Sequence, residues 1–147
     1  MKIIFAAAAL LVCSSTFALA AGKEGWEEDY KKSLAKAKSE SKMVLLDFTG
    51  SDWCGWCIKI DKEIFSQKAF QDYAKDNLVL VELDFPRNKT QTDELKAQNK
   101  KLAKEYEVQG YPTIIVLDKN GKKAGELGYM EGGAEAFVEE LKKLKGK

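Results

Sequence analysis

Two cysteines separated by two residues, in Ser51-Asp52-Trp53-Cys54-Gly55-Trp56-Cys57, stand between a continuous apolar run and an amphipathic one. Met43 to Phe48 is apolar except for Asp47, which reads as a buried central strand. Cys57 to Asn77 carries Ile60, Ile64, Phe65, Phe70 and Tyr73 in a helical pattern, with an interruption expected near Ser66 and Gln67. The pair therefore falls where a strand gives way to a helix. A ring closed over two residues staples almost no chain, whereas two thiols at this spacing exchange rapidly between dithiol and disulfide, so a redox pair is the leading reading.

The third cysteine, Cys13, belongs to a different segment. Lys2 followed by the apolar run Ile3 to Val12 and by Ala18-Leu19-Ala20 has the order of a secretory signal, with cleavage expected between Ala20 and Ala21. The run is short for a membrane span. The organisation expected is a signal peptide over residues 1–20 and one domain over 21–147, a length that suffices for a single core. Loss of the signal removes one base, Lys2, and no acid, so the formal charge falls from +1 to 0. Lys and Glu alternate along amphipathic segments, a pattern that points to neither nucleic acid nor a membrane surface.

Along the rest of the chain, Trp26, Tyr30, Leu34 and Ala37 recur at helical spacing and predict a first amphipathic helix. Leu78 to Phe85 is a second strand closed by Pro86. Thr92 is placed to cap a helix running to about Tyr106. Thr113 to Leu117 and Ala124 to Tyr129 flank Asn120-Gly121, a hairpin signal, and Ala134 to Leu144 closes the chain as a helix. The expected class is α/β in one domain.

The chemistry follows from the junction. At a helix start, unsatisfied backbone N–H groups and the helix dipole favour a thiolate, so Cys54 is expected to attack a substrate disulfide and Cys57, one turn further in, to resolve the mixed disulfide. Trp53 and Trp56 offer flat apolar surface for a partner chain; for Trp53, packing on the domain is as good a reading. Asp47 interrupts an apolar strand, where its charged form is costly and its pKa should rise. Asp61, four residues after Cys57, shares the sulfur face of a regular helix. A buried acid there can move the proton of Cys57. The chain has no histidine, so neither a four-ligand zinc site nor a Cys-His nucleophile pair is available, and no cofactor or metal is expected.

Leu46-Asp47-Phe48, Trp53 to Cys57, and Gly110-Tyr111-Pro112-Thr113 followed by a strand and Asn120-Gly121 together resemble the thioredoxin superfamily across essentially the whole mature chain. Within it, Asp61-Lys62-Glu63-Ile64-Phe65 after the pair is similar to secreted bacterial thioredoxin-like domains and to the C-terminal domain of the disulfide reductase DsbD. The resemblance implies a thioredoxin fold, a central mixed sheet flanked by helices. It also implies a cis Pro112 against the sulfurs, Tyr111 backbone free to bind substrate, and an open surface at Gly128. By the same resemblance Asp47 matches the buried acid of thioredoxins, Asp61 an acid near the DsbD site, and Glu82 a position where thioredoxin carries lysine. Trp56 departs from the proline or histidine usual at its place, one extra residue separates Asp47 from Cys54, and Phe85 to Gln91 lengthens a connection.

The function expected is a periplasmic or secreted thiol-disulfide oxidoreductase, monomeric, that reduces protein disulfides and is itself kept reduced by a membrane thiol donor. The direction rests on electrostatics: carboxylates near the pair, with no imidazolium to offset them, disfavour the thiolate and make the dithiol a better donor. An oxidant or isomerase for folding proteins, and a peptide-binding or chaperone-like module without catalysis, are the alternatives.

Overall fold

The computed structural model describes residues 22–145; the expected signal peptide, its cleavage point and Cys13 lie outside them. The elements are α1 (Tyr30–Glu40), β1 (Met43–Thr49), α2 (Gly55–Ile60) running into a π-helical turn (Asp61–Phe65), α3 (Lys68–Asn77), β2 (Leu78–Asp84), α4 (Asp93–Glu105), β3 (Thr113–Leu117), β4 (Lys123–Leu127) and α5 (Gly133–Lys145). The sheet order is β2-β1-β3-β4, with β1 and β2 parallel and the other two pairings antiparallel. This is a thioredoxin fold.

Every residue of β1 is buried, as its apolar run predicts, because it lies between two strands and under helices on both faces. Alternation along the strands divides the core in two. Met43 and Leu45 join Leu78, Ile114 and Val116 under the α2–π segment, α3 and α5, while Val44, Leu46 and Phe48 join Val79, Val81, Leu83, Ile115 and Leu117 on the other face. Fully buried side chains such as Leu45, Ile64, Phe70 and Phe137 each contribute about 1.5–3 kcal/mol by leaving water. The same alternation carries Asp47, Glu82 and Asp84 to the α2 side, with Asp47 opposite Glu82 and Thr49 opposite Asp84 at the carboxyl ends of the parallel pair.

Local signals set several boundaries. Thr92 Oγ1 accepts the Leu95 N–H at 3.2 Å and starts α4. Gly121, at φ +82°, turns the β3–β4 hairpin. The helical run after Cys57 breaks at Ser66 and Gln67, preceded by the π turn, in which the Ser66 N–H reaches back to the Asp61 carbonyl at 2.8 Å.

Two expectations need correction. Trp26 is not on the first helix, because Asp29 caps α1 by accepting the Lys32 N–H at 3.0 Å. The chain before that cap turns at residues 23–25 and then runs as a strap along β2 instead. The Glu27 N–H donates to the Leu80 carbonyl at 2.8 Å and the Glu82 N–H to the Glu27 carbonyl at 2.9 Å, while Trp26 stacks on Phe65 at 5.1 Å. The last strand ends at Leu127 rather than Tyr129. Tyr129 turns toward the π segment, donating its hydroxyl to Glu63 at 2.7 Å and lying 5.2 Å from the Trp56 ring.

Candidate active site

Cys54 is the N-cap of α2 and Cys57 lies within its first turn; the two are joined as a disulfide. The Cys57 N–H points at Cys54 Sγ at 3.3 Å, and the Gly50 N–H lies 3.5 Å from Cys57 Sγ. Negative charge at either sulfur therefore meets a backbone donor. Cys54 is the more exposed of the two, 7% against 3%. The Tyr111 carbonyl oxygen stands 3.7 Å from Cys54 Sγ, and the Tyr111–Pro112 bond is cis. A methyl group at Gly128 would lie 4.0 Å from the Pro112 carbonyl, an ordinary contact.

The two tryptophans part company. Trp53 is held on the domain: its indole N–H donates to the Phe85 carbonyl at 2.8 Å, its ring meets Tyr111 edge-on at 6.0 Å, and the Arg87 guanidinium covers it at 4.0 Å. Gly50 is required beneath it, since a Cβ there would come within 2.5 Å of the ring. Trp56 is 57% exposed, with Lys59 over its ring at 4.9 Å, and Ile58, two residues on, is also exposed. The lengthened Phe85–Gln91 connection acquires a structural reason here. Asp52 accepts the Arg87 and Asn88 N–H groups at 2.9 and 2.7 Å, which hold its carboxyl below the usual range and tie the loop to the cysteine turn.

Behind Cys57 the strand ends and the helix border a cavity of about 760 Å³ that is partly open to solvent. Asp47, Asp61, Glu82 and Asp84 line it with Cys57, whereas Cys54 does not. Asp47 is 3% exposed and its Oδ1 has no hydrogen-bond partner. Burial pushes its pKa up to about 8, Lys23 opposes the rise, and Glu82, Asp61 and Asp84 add to it. Burial and the neighbouring Asp84 likewise raise Glu82. Asp84 is satisfied by the Ser51 N–H and hydroxyl. Asp61, four residues after Cys57, is half-exposed and ion-paired with Lys23. Among the described residues no group of three or more Asp, Glu, Cys or His is placed to hold a metal ion.

Lys23, Asp84, Arg87 and Asp52 are the members of this site that sequence reasoning missed. Asp84 had a signal, an acid closing an apolar strand. Lys23 had none, because only the strap's pairing with β2 brings it to the cavity.

A thioredoxin-like domain model matches residues 30–145. The chain belongs to the thioredoxin-like family, and with its Cys54–Cys57 pair it is a thiol-disulfide oxidoreductase. Among its relatives, the disulfide bond reductase DsbH of Chlamydia pneumoniae is 37% identical over 124 residues, spanning 84% of this chain and 74% of that protein. The thiol:disulfide interchange protein DsbD of Actinobacillus pleuropneumoniae is 32% identical over 109 residues, 72% of this chain and 17% of that longer protein. A solved structure of a DsbH oxidoreductase superposes with a TM-score of 0.78 at 36% identity, covering 90% of this chain and 91% of the other. The oxidised DsbD C-terminal domain of Neisseria meningitidis shares the fold, with a TM-score of 0.57 at 23% identity over 78% of this chain and 91% of that domain.

Proposed function

We propose that this chain reduces protein disulfides outside the cytoplasm, in the periplasm or after secretion, and is re-reduced there by a membrane-borne dithiol. The observation that carries the direction is the set of carboxylates around Cys57, which makes thiolate formation costly and so favours the disulfide state of the protein over its dithiol. A relative that carries the name disulfide bond reductase supports the same direction. The N-terminal apolar run ending at Ala20, and relatives belonging to the Dsb group, support the location.

In this reading the Cys54 thiolate attacks one sulfur of the substrate disulfide, forming a mixed disulfide and releasing the other substrate sulfur as a thiolate. Cys57 then gives its proton to the Asp47 carboxylate across the cavity and attacks Cys54 Sγ. The second substrate sulfur leaves, so the substrate gains two electrons and the protein keeps the Cys54–Cys57 disulfide. Glu82 tunes Asp47 from the facing register position. Substrate backbone docks beside Tyr111 and Pro112, with Trp53 as a fixed wall and exposed Trp56 as an apolar contact.

Asp61→Asn tests the electrostatic basis. Removing that carboxylate takes one negative charge from the cavity behind Cys57, which favours the thiolate and stabilises the dithiol, so the potential becomes less negative. Because Asp61 is half-exposed, the expected change is about 10–30 mV, read in equilibrium with glutathione. A potential that overlays the parent's removes the electrostatic argument for reduction.

A further inference from the structure

The strap before α1 brings a cation to the rear of the redox pair. Lys23 Nζ pairs with Asp61 and lies 4.2 Å from the Trp26 ring and 5.1 Å from the Phe65 ring, leaving the side chain 27% exposed. Its position is fixed from both sides. The Trp26 N–H donates to the Lys23 carbonyl at 3.0 Å, Trp26 stacks on Phe65, and Glu27 is bonded to β2 through its N–H and its carbonyl. Lys23 lines the same cavity as Cys57 and Asp47.

The charged and titratable groups facing that cavity come from every element around it. The strap gives Lys23 and Glu28, α2 gives Cys57, the π turn Asp61, β1 Asp47, β2 Glu82 and Asp84, and the following loop Lys89. Acids outnumber bases. Lys89 Nζ donates to the Ser51 hydroxyl at 2.8 Å and acts on Glu82, whereas Lys23 is the cation that pairs with Asp61 and acts on Asp47. β2 contributes only Glu82 and Asp84 to this cavity, so the compensating charge has to come from another part of the chain.

We propose that Lys23 is a positioning residue of the redox site: from the N-terminal strap it fixes the charge balance of the cavity behind Cys57 and so sets the rate of the step in which Cys57 resolves the mixed disulfide. The inference rests on the reading that Asp47 accepts the Cys57 proton. A positive charge at Lys23 favours both the Asp47 carboxylate and the Cys57 thiolate, the two forms that step needs, and its removal works against both. Asp61 holds the ammonium in place, and the Trp26 and Phe65 rings shield it from water.

The test uses the reduced full domain and the aromatic disulfide dithiobis-nitrobenzoate, which releases one coloured thiolate when Cys54 attacks and a second when Cys57 resolves. Lys23→Gln is expected to leave the first phase within about twofold of the parent, to slow the second roughly tenfold at neutral pH, and to move its pH profile to higher pH. Lys23→Arg should restore the parent profile. In the Asp47→Asn background, Lys23→Gln should add less than half of that slowing. A second phase in Lys23→Gln that overlays the parent overturns the proposal, as does a slowing that persists undiminished beside Asp47→Asn. If Asp47→Asn alone matches the parent at every pH, the Asp47 reading fails first and the proposal falls with it.

Discussion

Cys57→Ala is expected to accumulate substrate proteins linked through Cys54, visible on non-reducing gels, while Cys54→Ala traps none and reduces no protein disulfide above the buffer rate. The asymmetry comes from the helix start. Cys54, as N-cap, lies beside Tyr111 and the cis Pro112 and is the more exposed of the two cysteines, and the Cys57 N–H supports its thiolate at 3.3 Å. Cys57 is the more buried of the two and lines the carboxylate cavity, where the acids oppose its thiolate. Without Cys57 the first exchange still occurs and the mixed disulfide persists, because no second thiol among the described residues stands within reach. Equal trapping by both variants would reverse the roles of the two sulfurs.

Asp47→Asn should stabilise the oxidised protein, and the gain should grow with pH. In the oxidised form neither cysteine titrates, so the measurement isolates the acid. Burial lifts Asp47 from its ordinary 3.8 to about 8. Between those values the unfolded chain has released a proton that the folded protein still holds, so stability falls as pH rises. The contribution is fully present below pH 3.8 and lost by about pH 8, at up to about 1.4 kcal/mol per pH unit. Denaturant melts of parent and variant should therefore diverge from acid to mildly alkaline pH and run parallel above. For a domain of ordinary stability, about 5–15 kcal/mol, this is a large effect. Parallel melts throughout would show that Asp47 titrates as a solvated acid.

The frame of the molecule was legible because its signals are local. The apolar run from Met43 announces a strand buried on both faces, Asn120-Gly121 a turn, and Thr92 a cap, each decided by neighbours in sequence. The unbroken apolar run around it was enough to suspect Asp47, since an acid in a strand with no solvent face has nowhere polar to go. Trp26 was misplaced because its spacing fits a helix, while Asp29 caps the chain after it and the edge of β2 offers partners that only the fold reveals. Lys23 and Arg87 were invisible for the same reason: what matters is the cavity and the Trp53 ring they reach, built from strands and turns far away in sequence. Asp61 was placed on the face of Cys57, yet the ion pair that changes its meaning comes from the strap.

The central claim, that the Cys54–Cys57 couple is built to donate electrons, is tested most directly by its redox equilibrium with glutathione and dithiothreitol at neutral pH. Carboxylates behind Cys57 and the absence of histidine place the expected potential at about −200 to −270 mV, the range from glutaredoxins to thioredoxin. A value near about −120 mV, that of a strong periplasmic oxidant, would contradict it.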